Sequence, residues 1–189
     1  MIRHPDQGSK ELGLSKGLVI IFTGDGKGKT SAAMGIALRA SGHEMYVSIV
    51  QFVKNESSTG EARAVERLAP EVEFVSLGKG FVNCCGDSKP LSEHKKSALE
   101  ALDLARQRML SGSWNILVLD EIITAVTLEL IESKDVLGLI ALKPPKLHLI
   151  LTGRGASDDL IAAADLVTEM RNIKHPYENG ISAQKGIDY

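Results

Sequence analysis

The stretch Thr23-Gly-Asp-Gly-Lys-Gly-Lys-Thr-Ser31 constrains this chain more than any other. Before it runs Leu18-Val-Ile-Ile-Phe22, continuously apolar and β-branched, the pattern of a strand buried on both faces. After it comes a helical pattern from about Lys29 to Ala40, stopped by Gly42. A glycine-rich turn between a buried strand and a helix is the setting of a phosphate loop. Glycines let backbone N–H groups converge on an anion, and the helix start adds the positive end of its dipole. Gly24, Asp25, Gly26, Lys27, Gly28, Lys29, Thr30 and Ser31 are therefore the candidate triphosphate-binding residues. The Lys29 ammonium would meet the terminal phosphates and the Thr30 hydroxyl a Mg²⁺ ion. The match to G-x-x-x-x-G-K-[ST] is not strict, because Thr23 stands at the first Gly and Gly24 comes one place later. Read alone, the segment also suits a glycine-rich turn that caps a helix.

The rest of the chain continues the alternation. Strand patterns at Tyr46–Val53, Val72–Leu77, Asn115–Asp120, Leu147–Thr152 and Leu166–Met170 are separated by helical ones. The helices fall at Gly60–Ala69, Leu91–Leu110, Ile122–Ile131, Ser133–Leu142 and Ser157–Ala164. Gly78–Pro90 reads as a loop, and the tail from Arg171 as polar and irregular. Such alternation predicts an α/β fold with a mainly parallel sheet covered by helices on both faces. At 189 residues, one domain over residues 17–189 is expected, preceded by a mobile polar arm, Met1–Lys16. Ligands of such sheets bind at the carboxyl ends of the strands.

That rule selects further candidates. Asp120 and Glu121 end the buried strand Ile116-Leu-Val-Leu-Asp120, where an acidic residue would hold Mg²⁺ directly or through water. In Thr152-Gly-Arg154-Gly an Arg, the natural fork for phosphate, leaves the next strand end. Gln51 and Lys54 lie at the end of the second strand and read equally well as a solvated strand end. Arg39, ten residues after Lys29, reads as surface by itself, and His148 as core. No nucleophile–base pair, zinc cluster or Gly-x-Ser-x-Gly elbow is present. The site's reaction therefore draws its nucleophile from a substrate or from water.

Composition excludes whole classes. Lys plus Arg is 22 against 24 Asp plus Glu, which gives no support to a nucleic-acid binder. No apolar run approaches the roughly 20 residues of a membrane span. The only two cysteines, Cys84 and Cys85, are adjacent and cannot close a stabilising loop, so a reducing, cytoplasmic location is expected.

Several short motifs, in order, resemble the ATP:corrinoid adenosyltransferases of the CobA/CobO/BtuR type. They are Thr23–Thr30, Arg39-Ala-Ser-Gly-His43, Val50-Gln-Phe-Val-Lys54, Gly60-Glu61, Gly80-Phe81, Val118-Leu-Asp-Glu121, Thr152-Gly-Arg-Gly155 and Lys174-His175. The ending Ala183-Gln-Lys-Gly-Ile-Asp-Tyr189 is similar as well, and Thr23 at the first Gly is a trait of the family. The resemblance implies a RecA-like, doubly wound P-loop NTPase fold. It implies transfer of the 5′-deoxyadenosyl group of ATP to the Co(I) of a reduced corrinoid, with release of triphosphate. ATP is the co-substrate, Mg²⁺ the metal and the corrinoid the acceptor. A homodimer and an electron donor, flavodoxin-like or a reduced flavin, are implied partners. Lys29, Glu121 and Arg154 take catalytic roles; Arg39 joins the nucleotide site; Phe81 packs against the corrin. Asp25 stands where relatives commonly have Asn, and is expected at the ribose or the metal. Relatives often carry Trp two residues after that Phe, whereas here Asn83 is followed by Cys84-Cys85. Two other classes fit the phosphate loop alone: an ATPase or kinase releasing ADP, and a non-catalytic module that binds ATP and corrinoid.

Overall fold

The structure, a computed structural model, describes residues 16–53, 59–80, 82 and 89–188. Residues 1–15 of the expected arm, and Lys54, Phe81, Asn83, Cys84, Cys85 and Tyr189, lie outside the described residues. The strands are β1 (Val19–Thr23), β2 (Val47–Gln51), β3 (Val72–Ser76), β4 (Ile116–Asp120), β5 (His148–Thr152) and β6 (Leu166–Glu169). The helices are α1 (Lys29–Ser41), α2 (Gly60–Val65), α3 (Leu91–Leu110), α4 (Ile122–Thr127), α5 (Ser133–Leu142) and α6 (Asp158–Ala162). All strand pairs are parallel, in the order β3-β2-β4-β5-β1-β6.

Alternation along each strand sorts side chains to two faces. Ile21, Val50, Leu117, Leu119, Leu149 and Leu151 pack with Ala98, Ala101 and Ala105 of α3 and with Ile122, Ile123 and Leu139 of α4 and α5. Phe22, Ile49, Val118 and Ile150 pack on the other face against Ala33, Ala37 and Ala40 of α1 and Val65 of α2. With both faces covered, the central strands need to be apolar throughout, which is why they were readable. β6 differs: all four of its residues are exposed, because it is the sheet's edge beyond β1.

Several expected boundaries shift. The helix expected over Gly60–Ala69 is α-helical to Val65 and continues as a 3-10 turn over Glu66–Leu68. Gly42 does not end α1 with a left-handed turn; its φ is −65°. Glu44 does, at φ 57°, with the Met45 N–H reaching back to the Ala40 carbonyl at 3.1 Å. The helix expected to Ile131 likewise stops at Thr127, where Glu129 turns left-handed at φ 55°. The Leu130 N–H then bonds the Ala125 carbonyl and the Glu129 N–H that of Val126, the paired bonds of a Schellman ending without its usual glycine. His148 is not core: half-buried at the start of β5, its Nδ1 accepts from the Leu18 N–H at 3.2 Å.

Candidate active site

β5 lies between β1, which leads into the phosphate loop, and β4, which ends in Asp120. The carboxyl ends of these strands and of β2 converge on one carboxylate. Asp120, fully buried, accepts from Thr30 Oγ1 (2.9 Å) and Thr152 Oγ1 (2.7 Å) at Oδ1, and from Gln51 Nε2 (2.8 Å) at Oδ2. A buried charge survives only if donors surround it, and these three come from α1, β5 and β2. Gln51 stands opposite Asp120 in the parallel register, which places both side chains on the α1 face.

The phosphate loop is shaped by its glycines and by the chain after β6. Gly24 adopts φ 95°, and a Cβ there would lie 2.4 Å from the Met170 carbonyl oxygen. The Gly26 N–H donates to that same carbonyl at 2.7 Å. Lys29, buried at the first position of α1, donates to the Gly24 and Gly26 carbonyls at 2.6 and 2.7 Å, which curls the loop around its ammonium. The N–H groups of the first turn of α1 have no intrahelical acceptor, so the loop mouth is a ready anion site.

Glu121 follows Asp120 at φ 62°, a left-handed conformation costing a non-glycine residue about 1–2 kcal/mol. Two bonds over-determine it. Its N–H donates to Thr152 Oγ1 at 2.8 Å, and its carboxylate accepts from Thr124 Oγ1. Thr124 Oγ1 also accepts the Arg154 N–H at 3.1 Å, while the Arg154 carbonyl accepts from Thr127 Oγ1 at 2.9 Å. Gly153 links these loops at φ 141°, where a Cβ would stand 2.4 Å from the Thr124 nitrogen.

The structure thus brings Lys29, Thr30, Asp120, Glu121 and Arg154 to one end of the sheet. Asp25, Lys27 and Ser31 are exposed at the loop mouth, Gly24 and Gly28 are partly buried, and Gly26 is buried. Lys27 is held by Asp188 near the end of the chain. That ammonium, followed by the Gln184 N–H, keeps the Asp188 carboxyl below the usual carboxylate range. Arg39 is not brought to this cluster: it is exposed in the last turn of α1, about 15 Å along the helix from Lys29. The Thr30 hydroxyl and the buried Asp120 carboxylate, 2.9 Å apart, are the hard oxygen donors Mg²⁺ prefers, so these residues fit that ion. Among the described residues no cluster of three or more His, Cys, Asp or Glu side chains forms a separate metal centre, and no helix is long and apolar enough to cross a membrane.

A family model described as ATP:corrinoid adenosyltransferase BtuR/CobO/CobP matches residues 15–189. The chain belongs to the ATP:corrinoid adenosyltransferase family. It is 37% identical over 174 residues to a corrinoid adenosyltransferase of Pseudomonas aeruginosa, covering 92% of this chain and 84% of that one. The corresponding protein of Escherichia coli K12 is 35% identical, covering 92% and 86%. Among solved structures, the fold is similar to flagellar accessory protein FlaH of Methanocaldococcus jannaschii: TM-score 0.50, 12% identity, 83% of this chain and 72% of that one. It is also similar to the type III secretion ATPase EscN of enteropathogenic E. coli: TM-score 0.51, 17% identity, 90% and 48%. At those identities the likeness speaks for the fold alone.

In this corrinoid adenosyltransferase, sequence reasoning passed over Thr152 and Thr124 as functional residues. Thr152 stood inside a recognised motif, but its contact to Asp120 spans 32 positions and has no local signature. Thr124 lies in an apolar helical stretch, where a Thr reads as neutral. The tie from Asp188 to Lys27 spans 161 positions, and only the likeness of the chain's ending to the family pointed there.

Proposed function

We propose that this chain transfers the 5′-deoxyadenosyl group of ATP to the Co(I) of cob(I)alamin or cob(I)yrinic acid a,c-diamide, releasing triphosphate. Family membership together with the Lys29–Thr30–Asp120 cluster carries the reading. The reacting electron pair belongs to Co(I), which attacks C5′ as the C5′–O bond breaks and the pair from that bond leaves with triphosphate. No proton moves. The Asp120 carboxylate is engaged by three donors, Thr30, Gln51 and Thr152, which fits a positioning role in the site.

The protein's work is then positioning and stabilisation of a polyanion. The first-turn N–H groups of α1, the Lys29 ammonium and Arg154 supply positive charge where triphosphate gains negative charge. Mg²⁺, held by Thr30 and Asp120 with Glu121 adjacent, would neutralise part of that charge when bound. One domain over 17–189 carries both substrates, as a cytoplasmic homodimer supplied with electrons by a flavodoxin-like or flavin donor. Phe81, outside the described residues, is the residue that the family resemblance assigns to the corrin.

The test is anaerobic. The protein is mixed with Mg-ATP and chemically reduced cob(I)alamin, the corrinoid spectrum is followed, and the phosphate product is identified. A light-sensitive Co–C product with one triphosphate per turnover is expected. An unchanged corrinoid with ADP and phosphate released would overturn the reading.

A further inference from the structure

Gln51 is 2% exposed, and its carboxamide is only half used. Its Nε2 donates to Asp120 Oδ2 at 2.8 Å. That orientation is chemically forced: a carboxylate acceptor cannot face the carbonyl end of the amide. The carbonyl, Oε1, is therefore turned away from Asp120, and it has no hydrogen-bond partner among the described residues. A buried acceptor left unpaired is costly, so its persistence points to a donor that arrives with a ligand.

The chemistry of the cluster identifies that donor. A carboxylate offers about four acceptor sites, and Asp120 already uses three on Thr30, Thr152 and Gln51. Mg²⁺ dehydrates reluctantly and keeps several waters, each bringing two polarised O–H donors. Asp120 alone has too few open acceptor sites for such a shell. Gln51 Oε1 is one carboxamide away from Asp120 Oδ2, on the same face of the sheet.

We propose that Gln51 is a metal-site residue of this enzyme: Oε1 accepts a hydrogen bond from a Mg²⁺-bound water while Nε2 fixes the Asp120 carboxylate. The proposal rests on reading the crevice as a Mg-ATP site, and does not depend on the corrinoid. Gln51 gives the hydration shell a neutral acceptor that adds no charge beside the triphosphate. It thereby couples the end of β2 to the metal held between α1 and β4.

Calorimetric titration with ATP, in Mg²⁺ and in EDTA, tests this on the wild type and on Gln51→Met, which keeps the volume and removes both hydrogen-bonding groups. The expected result is a loss of about tenfold in Mg-ATP affinity, with metal-free ATP affinity changed less than about twofold. Equal losses in both media would overturn the proposal and leave Gln51 as a structural prop; no loss in either would also overturn it. Should Gln51→Met fail to fold, Gln51→Glu serves. Its carboxylate beside Asp120 lowers the melting temperature, and Mg²⁺ alone then raises it further than in the wild type. An Mg²⁺ response equal to that of the wild type refutes the assignment. Failure of the wild type itself to bind Mg-ATP would instead sink the proposed function.

Discussion

Replacing Thr152 by Val tests whether the Asp120 cluster is held as described. The change is nearly isosteric and exchanges a buried hydroxyl for a methyl. Two bonds are lost together: Thr152 Oγ1 to the Asp120 carboxylate at 2.7 Å, and the Glu121 N–H to Thr152 Oγ1 at 2.8 Å. A hydrogen bond to a charged group contributes about 1.5–3 kcal/mol, and an orphaned buried N–H costs about 1–3 kcal/mol. Burying one more methyl returns about 0.8 kcal/mol. The net is a destabilisation of about 3 kcal/mol, which for a chain of this size lowers the melting temperature by about 6–12 °C. Thermal unfolding followed by circular dichroism reads it directly. Thr152→Ser, which keeps the hydroxyl, is the control and should lose only a methyl's worth. The reasoning fails if Thr152→Val melts within about 2 °C of the wild type, or if the Ser variant falls as far as the Val variant.

Lys29→Met should lower adenosylation by at least about 10²-fold while leaving the far-ultraviolet spectrum unchanged; near-normal triphosphate release would remove Lys29 from the site. Gly153→Ala places a Cβ 2.4 Å from the Thr124 nitrogen at φ 141°, and should cost about 3 kcal/mol or more in urea unfolding. An unchanged midpoint would contradict the loop geometry. His148 supplies a pH test. Burial, and secondarily the Lys143 cation, hold its imidazole below the ordinary 6.5, and its Nδ1 must stay unprotonated to accept from Leu18. The folded state then binds fewer protons than the unfolded one, so stability falls as pH drops through about 6.5 towards the folded value. Urea midpoints from pH 7.5 to 5 should decline more steeply in the wild type than in His148→Gln; identical slopes would exclude the histidine.

What could be read in the sequence was what is written locally. The β1–loop–α1 unit shows itself in one run of residues, because an apolar strand, a glycine turn and a helix start each leave a short-range pattern. Asp120 and Glu121 were legible for the same reason, as the polar end of a buried strand. Arg154 was legible as an Arg leaving the end of the next strand, and the family motifs added its role. The helix endings at Glu44 and Glu129 were not legible, since glutamate is not the residue expected in a left-handed turn, and tertiary packing of Met45 and Leu130 sets them there. Thr152 and Gln51 gained meaning only when the sheet order placed β5 and β2 beside β4. Arg39 marks the opposite case: the motif brought it forward, and the length of α1 carries it away from the cluster.

The strand order also dictates when the phosphate loop can be finished. β1 is made early, yet both its neighbours, β5 and β6, are made last; Val19 pairs with Leu149, and Ile20 with Leu166. β2, β3 and β4 can pair with one another while the ribosome is still translating. β1 must wait until β2, β3 and β4 have been made and β5 follows them, and closing so long a loop is slow. A nascent chain therefore carries the phosphate-loop sequence long before it carries a phosphate site, and nucleotide binding marks a chain translated past β5 and β6.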